Sequence, residues 1–234
     1  MADKRAGQEF DAYRASYSDA VDKAISVPGL DVDFFTRAKA SRLLDWLSAN
    51  VGPAEELSVL DVGCGVGNYH PLVSGRLAQL TGVDPSVECL DEAKARNSLV
   101  AYKASDGLTL PFEDNVFDAA FAICVMHHVP PEQWALFVAE MARVVRKGGA
   151  VLVFEHNPLN PLTQRIVSRC PFDEDATLLR KKRVTAYFDE AGLSDISGHY
   201  ILTVPSVEGP LRWIDDRLSS LPTGAQYFVS GIKA

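Results

Sequence analysis

Short apolar runs alternate along this chain with stretches of helical periodicity, and that alternation restricts the fold more than any other feature. Runs at 58–62, 80–83, 100–104, 119–124 and 150–154 have strand length and strand composition. Ala40, Leu43, Leu44, Leu47 and Val51 predict a helix ahead of the first run. Between the last two, Trp134, Phe137, Val138, Met141 and Val145 form one apolar stripe. Pro131 and Glu132 suit the start of that helix, Arg143, Arg146 and Lys147 its last turn, and Gly148 its stop. Two more runs, 196–204 and 226–232, add strands near the end, with a helical piece at 211–218 between them. Strand and helix taking turns predicts an α/β fold, a doubly wound and mostly parallel sheet with helices on both faces. Ligands of such sheets bind at the carboxyl ends of the strands, where strand order reverses. Residues 61–69, 84–86, 105–107, 124–129 and 155–161 should therefore line one cleft.

The first run opens into SVLDVGCGVGNYH, a glycine loop of the kind that brings a nucleotide close to the backbone. A dinucleotide fingerprint requires GxGxxG, but Gly63, Gly65 and Gly67 give GxGxG, with Asn68 at the place of the third glycine. Asp61, two residues before the loop, would repel a pyrophosphate and attract an ammonium. Asp84, at the end of the second run, suits the two hydroxyls of a ribose. A ligand with a ribose, an ammonium and no phosphate fits S-adenosylmethionine.

The remaining composition narrows the alternatives. The formal charge of −8 disfavours a polyanion or an anionic bilayer as partner. The run RKKR at 180–183 reads as a solvated helix start rather than a phosphate grip. MADKRAGQEF lacks the apolar core of a secretion signal, and the longest apolar run, 119–126, is far short of a membrane span. Cys64, Cys89, Cys124 and Cys170 are scattered without metal-ligand spacing, which suits reduced thiols in a cytoplasm and no metal site.

Four segments in this order resemble the class I S-adenosylmethionine-dependent methyltransferases, in particular the small-molecule subgroup that includes the quinone-biosynthesis C-methyltransferases. LDVGCGVGN resembles the first motif of that family and TGVDPS its ribose-binding acid. ASDGLTLPFEDNVFDAAFAICVMHHV resembles the stretch from the adenine-binding acid through the fourth strand, and VRKGGAVLVFE the fifth-strand motif. The likeness covers about residues 57–155. It implies a Rossmann-like seven-stranded sheet whose last strand is antiparallel. It further implies that Asp61, Gly63, Cys64 and Gly65 face the methionine portion and that Asp84 takes the ribose. Pro85 and Ser86 would lie beside the adenine. Asp106 would accept from the adenine amino group, between Ser105 and Gly107, and Cys124 would close the cofactor cleft. Ser105 departs from the glycine common in the family. In relatives an N-terminal segment closes over the cofactor, which makes Tyr17, Arg37 and Lys39 candidates for its methionine carboxylate.

Methyl transfer from a sulfonium is an in-line displacement, so the protein chiefly aligns the reactants and excludes water. A general base is required only when the nucleophile holds a proton. His127 and His128 follow the fourth strand beside the expected methyl position and are the candidate bases, His127 first. Glu155, His156 and Asn157, after the fifth strand, are candidate acceptor contacts. Residues 1–50 are expected as an N-terminal helical cap and 51–234 as the catalytic domain, with a lid insert near 156–180. The expected activity is methylation of a small organic acceptor at oxygen, nitrogen or carbon, by a monomer or homodimer. The alternatives are an RNA or protein methyltransferase, a dinucleotide-dependent oxidoreductase, or a cofactor-binding protein without catalysis.

Overall fold

A computed structural model describes residues 31–170 and 176–234. Tyr17, with the neighbouring Phe10 and Tyr13, and the acids at 173–175 lie outside the described residues. Seven strands form one sheet: β1 (Ser58–Val62), β2 (Gln79–Asp84), β3 (Ala101–Ala104), β4 (Phe117–Ile123), β5 (Val145–His156), β6 (Leu193–Ile201) and β7 (Gln226–Lys233). Their order is β3-β2-β1-β4-β5-β7-β6. Strand β7 lies antiparallel between β5 and β6, and the other pairings are parallel. Seven α-helices accompany the sheet among the described residues: α1 (Val32–Asn50), α2 (His70–Val73), α3 (Val87–Arg96), α4 (Trp134–Val144), α5 (Pro161–Val167), α6 (Lys181–Glu190) and α7 (Gly209–Arg217). The expected α/β sheet with an antiparallel last strand is the fold observed.

Alternation along the central strands sends side chains to both faces. Ala119, Phe121 and Ile123 of β4, with Ala150, Leu152 and Phe154 of β5, meet Ala38, Leu43 and Leu47 of α1 on one face. Ala120, Ala122, Val151 and Val153 meet Val138 and Met141 of α4 and Val184 and Phe188 of α6 on the other. Strands buried on both sides account for the unbroken apolar runs in the sequence. Helix α1 packs directly on this face of the sheet.

Three element boundaries differ from expectation. Helix α4 stops at Val144, and the VRKGG segment opens β5 instead of ending the helix. A β-carbon at Gly149 would come within 2.4 Å of the Asp118 carbonyl, so the glycine pair lets β5 approach β4 where their register shifts. Strand β6 begins and ends three residues earlier than the apolar run. Leu202 turns at φ 64, and the N–H groups of Leu202 and Val204 donate to Asp215, which takes this segment out of the sheet. The helix expected from residue 40 begins at Val32, where Asp31 caps it by accepting from Phe34 N at 2.7 Å.

Among the described residues no helix is long and apolar enough to cross a membrane.

Candidate functional site

Strand order reverses between β1 and β4, and the loops after these strands form the crevice that the sequence places there. Gly63, Gly65 and Gly67 all take positive φ, at 75, 50 and 72°. At Gly63 a β-carbon would also come within 2.5 Å of Val125, the residue that follows Cys124 in the β4 loop. The loop N–H groups are already engaged. Those of Gly63 and Cys64 donate to Val83 O at 2.8 and 3.1 Å, and that of Gly67 to Cys64 O at 2.9 Å. That of Gly65 donates to Asp84 Oδ2 at 2.8 Å. The nest of free donors that a pyrophosphate requires is therefore closed at these four positions.

Two carboxylates stand at the ends of this loop. Asp84 also accepts from Ser86 N at 2.9 Å, and Ser86 caps α3 by accepting from Cys89 N at 3.1 Å. Asp61 is 3% exposed, and its Oδ2 meets His70 Nε2 at 3.0 Å. Burial pushes its carboxyl above the ordinary range, and the hydrogen bond and charge of His70 draw it part of the way back. Among the described residues Asp61 Oδ1 has no hydrogen-bond partner, so one oxygen is anchored and the other remains for a ligand.

The β3 loop supplies the third wall. Ser105 N donates to Asp84 O at 3.2 Å, and Gly107, at φ 81, faces Pro85. Asp106 is exposed and accepts from the N–H groups of Thr109 and Leu108 at 2.7 and 2.9 Å, which holds its carboxyl below the usual range.

After β4, Cys124 sits in the left-handed region at φ 57, half-buried, with Lys39 Nζ 3.5 Å from its sulfur. Burial would raise this thiol, but the Lys39 ammonium and His156 outweigh it and bring it down to about 7. Gln226 lies 3.9 Å from the same sulfur through Nε2 and 3.4 Å from His156 Nδ1, and its Oε1 is buried without a partner among the described residues. An anchored carboxylate with one oxygen left over and an orphaned amide oxygen suit a ligand that brings N–H donors, as an ammonium does.

Four expected site residues sit elsewhere or act differently. Arg37 is exposed and pairs with Asp33 at 3.2 Å, because helical spacing turns it away from the buried face that carries Lys39. His127 is 2% exposed, with Nδ1 2.6 Å from Glu155 Oε2, and Glu155 is 1% exposed. Burial opposes ionisation of Glu155, but His127 outweighs it and the carboxyl lies below its ordinary value. This buried pair joins the β4 loop to β5. His128, half-buried and stacked 4.1 Å from the His127 ring, is the more accessible of the two histidines. Asn157 is buried too: its amide donates to Pro222 O and Gly224 O at 3.1 and 2.7 Å and accepts from Leu159 N at 3.0 Å. It clips the β5 loop to the chain ahead of β7, with both amide protons engaged.

Sequence reasoning missed His70, Tyr102 and Gln226. His70 carried a local signal, one turn past the last glycine and just before a helix-starting proline. The other two reach the site from β3 and β7, through pairings that no local pattern reports. Beyond β5, β6 and β7, at the same end of the sheet, Phe34, Phe35, Leu162, Ile166, Leu202 and Ala225 line a mostly apolar cavity of about 150 Å³. Helix α5 of the expected lid forms one of its walls. Among the described residues no group of three or more histidines, cysteines and acids could hold a metal ion.

Residues 60–153 match the family described as "Methyltransferase domain". A phosphatidylethanolamine N-methyltransferase of Cereibacter sphaeroides is 39% identical over 105 residues, covering 42% of this chain and 50% of that protein. The chain spans half or less of the length of the first curated relatives it matches. Among solved structures, a possible histamine N-methyltransferase of Thermotoga maritima superposes with TM-score 0.69 at 17% identity, covering 98% of this chain and 100% of that one. A geranyl diphosphate C-methyltransferase of Streptomyces coelicolor, solved with S-adenosyl-L-homocysteine, superposes with TM-score 0.61 at 14% identity over the full length of both. At these identities the superpositions establish the fold, the Rossmann-like fold of S-adenosylmethionine-dependent methyltransferases.

Proposed function

We propose that the methyltransferase domain at residues 60–153 transfers a methyl group from S-adenosylmethionine to a small organic acceptor. One observation carries the reading: four N–H groups of the glycine loop, those of Gly63, Cys64, Gly65 and Gly67, are engaged within the protein, and carboxylates flank the loop on both sides. That arrangement repels a pyrophosphate and suits a cationic nucleoside. In this reading Asp61 Oδ1 takes the ammonium, Asp84 the ribose hydroxyls, and Lys39 the carboxylate of the methionine portion. Pro85, Asp106 and Gly107 edge the adenine. When bound, the cofactor supplies an electrophilic methyl, and the protein aligns it with the acceptor and keeps water out. Good alignment alone can lower such a barrier by ~7–11 kcal/mol.

The cavity beyond β5–β7 supports a small acceptor with an apolar part, since a mostly apolar cavity of ~150 Å³ has room for a benzene-sized group. The Cereibacter relative is named for a phospholipid and the Streptomyces structure for a prenyl diphosphate, and both names describe small-molecule acceptors. As part of the same proposal we assign the chain to the small-molecule subgroup that includes the quinone-biosynthesis enzymes, a reading that the motif segments support. His128 is the candidate base for an acceptor that carries a proton.

Calorimetry with S-adenosylhomocysteine and with NADH is the test. Binding of the first and none of the second is expected; the reverse result would sink the proposal. Methyl transfer assayed across hydroxyl, amine and activated-carbon acceptors then identifies the class.

A further inference from the structure

His70 is fully buried at the start of α2, beneath the glycine loop. A β-carbon at Gly67 would stand 2.6 Å from its Nδ1, so the loop closes over the imidazole only because that position lacks a side chain. Both ring nitrogens are engaged. Nε2 lies 3.0 Å from Asp61 Oδ2 and Nδ1 lies 2.6 Å from Tyr102 Oη. One proton arrangement satisfies all three groups. The ionised Asp61 accepts from Nε2–H, and the Nδ1 lone pair accepts from the tyrosine hydroxyl. His70 at the start of α2 and Tyr102 of β3, from behind the loop, thus fix one oxygen of Asp61 and leave the other for the cleft.

We propose that His70, backed by Tyr102, is a positioning residue that holds the Asp61 carboxylate aimed at the ammonium of the cofactor. The inference rests on the cofactor reading above and adds to it a residue pair that makes no contact with the ligand. Its consequence is selective: the pair governs affinity for the amino-acid end of the ligand and leaves the nucleoside end alone.

The test compares S-adenosylhomocysteine with 5′-methylthioadenosine, which shares the nucleoside and lacks both ammonium and carboxylate. Calorimetric affinities are measured for the wild type, His70→Gln, Tyr102→Phe, Asp61→Asn and the His70→Gln/Asp61→Asn double variant. His70→Gln is expected to weaken S-adenosylhomocysteine by about tenfold or more, the scale of a lost hydrogen bond to a charged group. Methylthioadenosine should change by less than about threefold, and His70→Gln should add little once Asp61 is already neutral. Tyr102→Phe removes a single oxygen and should shift affinities in the same direction by less. It decides the matter on its own if His70→Gln does not fold. Equal weakening of both ligands, or additive effects of His70→Gln and Asp61→Asn, would overturn the positioning role. Unchanged affinities would do the same. A wild type that binds no S-adenosylhomocysteine at all would overturn the cofactor reading together with this one.

Discussion

Cys124 follows β4 in a backbone conformation rare for a residue other than glycine, and its sulfur meets Lys39 and His156. With the thiol near 7, its thiolate population rises from about a tenth at pH 6 to about nine-tenths at pH 8. Alkylation by iodoacetamide, followed by mass spectrometry, should therefore speed up about ninefold over that interval. Lys39→Met should slow it at neutral pH by removing the charge that lowers the thiol. Cys64 should stay unmodified throughout, because burial pushes its thiol far up. At Gly63, alanine would suffer twice, from positive φ and from the contact with Val125. A loss of ~1–2 kcal/mol from the backbone alone is expected in urea unfolding, and Val125→Ala should relieve only the part due to the contact.

Buried charge pairs decide how the elements are held together. Arg42 of α1 pairs with Asp215 of α7, both almost fully buried, and Asp215 also accepts from Leu202 N at 2.8 Å and Val204 N at 2.9 Å. Arg42→Ala leaves that carboxylate buried without its cation, and a loss of ~3–5 kcal/mol is expected by denaturant unfolding. The His127–Glu155 pair does the same for the β4 loop and β5. Its sign with pH follows from Glu155 lying below its ordinary value of 4.5 when folded. The stabilisation is present above the unfolded value and is lost as pH falls through the folded one. Glu155→Gln should therefore be less stable than the wild type at pH 7, and the gap should narrow on acidification below 4.5 in a pH series of thermal melts.

For the whole molecule, a ligand that binds only the folded state adds stability by mass action. S-adenosylhomocysteine at a hundred times its Kd should add ~2.7 kcal/mol, which raises the Tm of a chain this size by ~5–10 °C. NADH at the same concentration should leave the Tm unchanged. The overall charge of −8 belongs to the same scale: mixed RNA at moderate salt is not expected to shift the melting curve.

The sequence by itself determined the alternating architecture, the first strand that carries Asp61, the three glycines and the acid at Asp84. Each of these is written in residues that lie close together in the chain. Spacing reports what a few neighbouring residues must do, so β1, β7 and the loop were legible before any coordinates. Only the tertiary structure decided that Lys39 rather than Arg37 turns inward. Only it showed that Glu155 pairs with His127 and Asn157 with the chain ahead of β7, and that His70 and Tyr102 stand behind Asp61. Those roles depend on which distant polar groups meet in the interior. A buried carboxylate, imidazole or amide must find partners, and partners up to 173 residues away are fixed by packing and leave no local pattern.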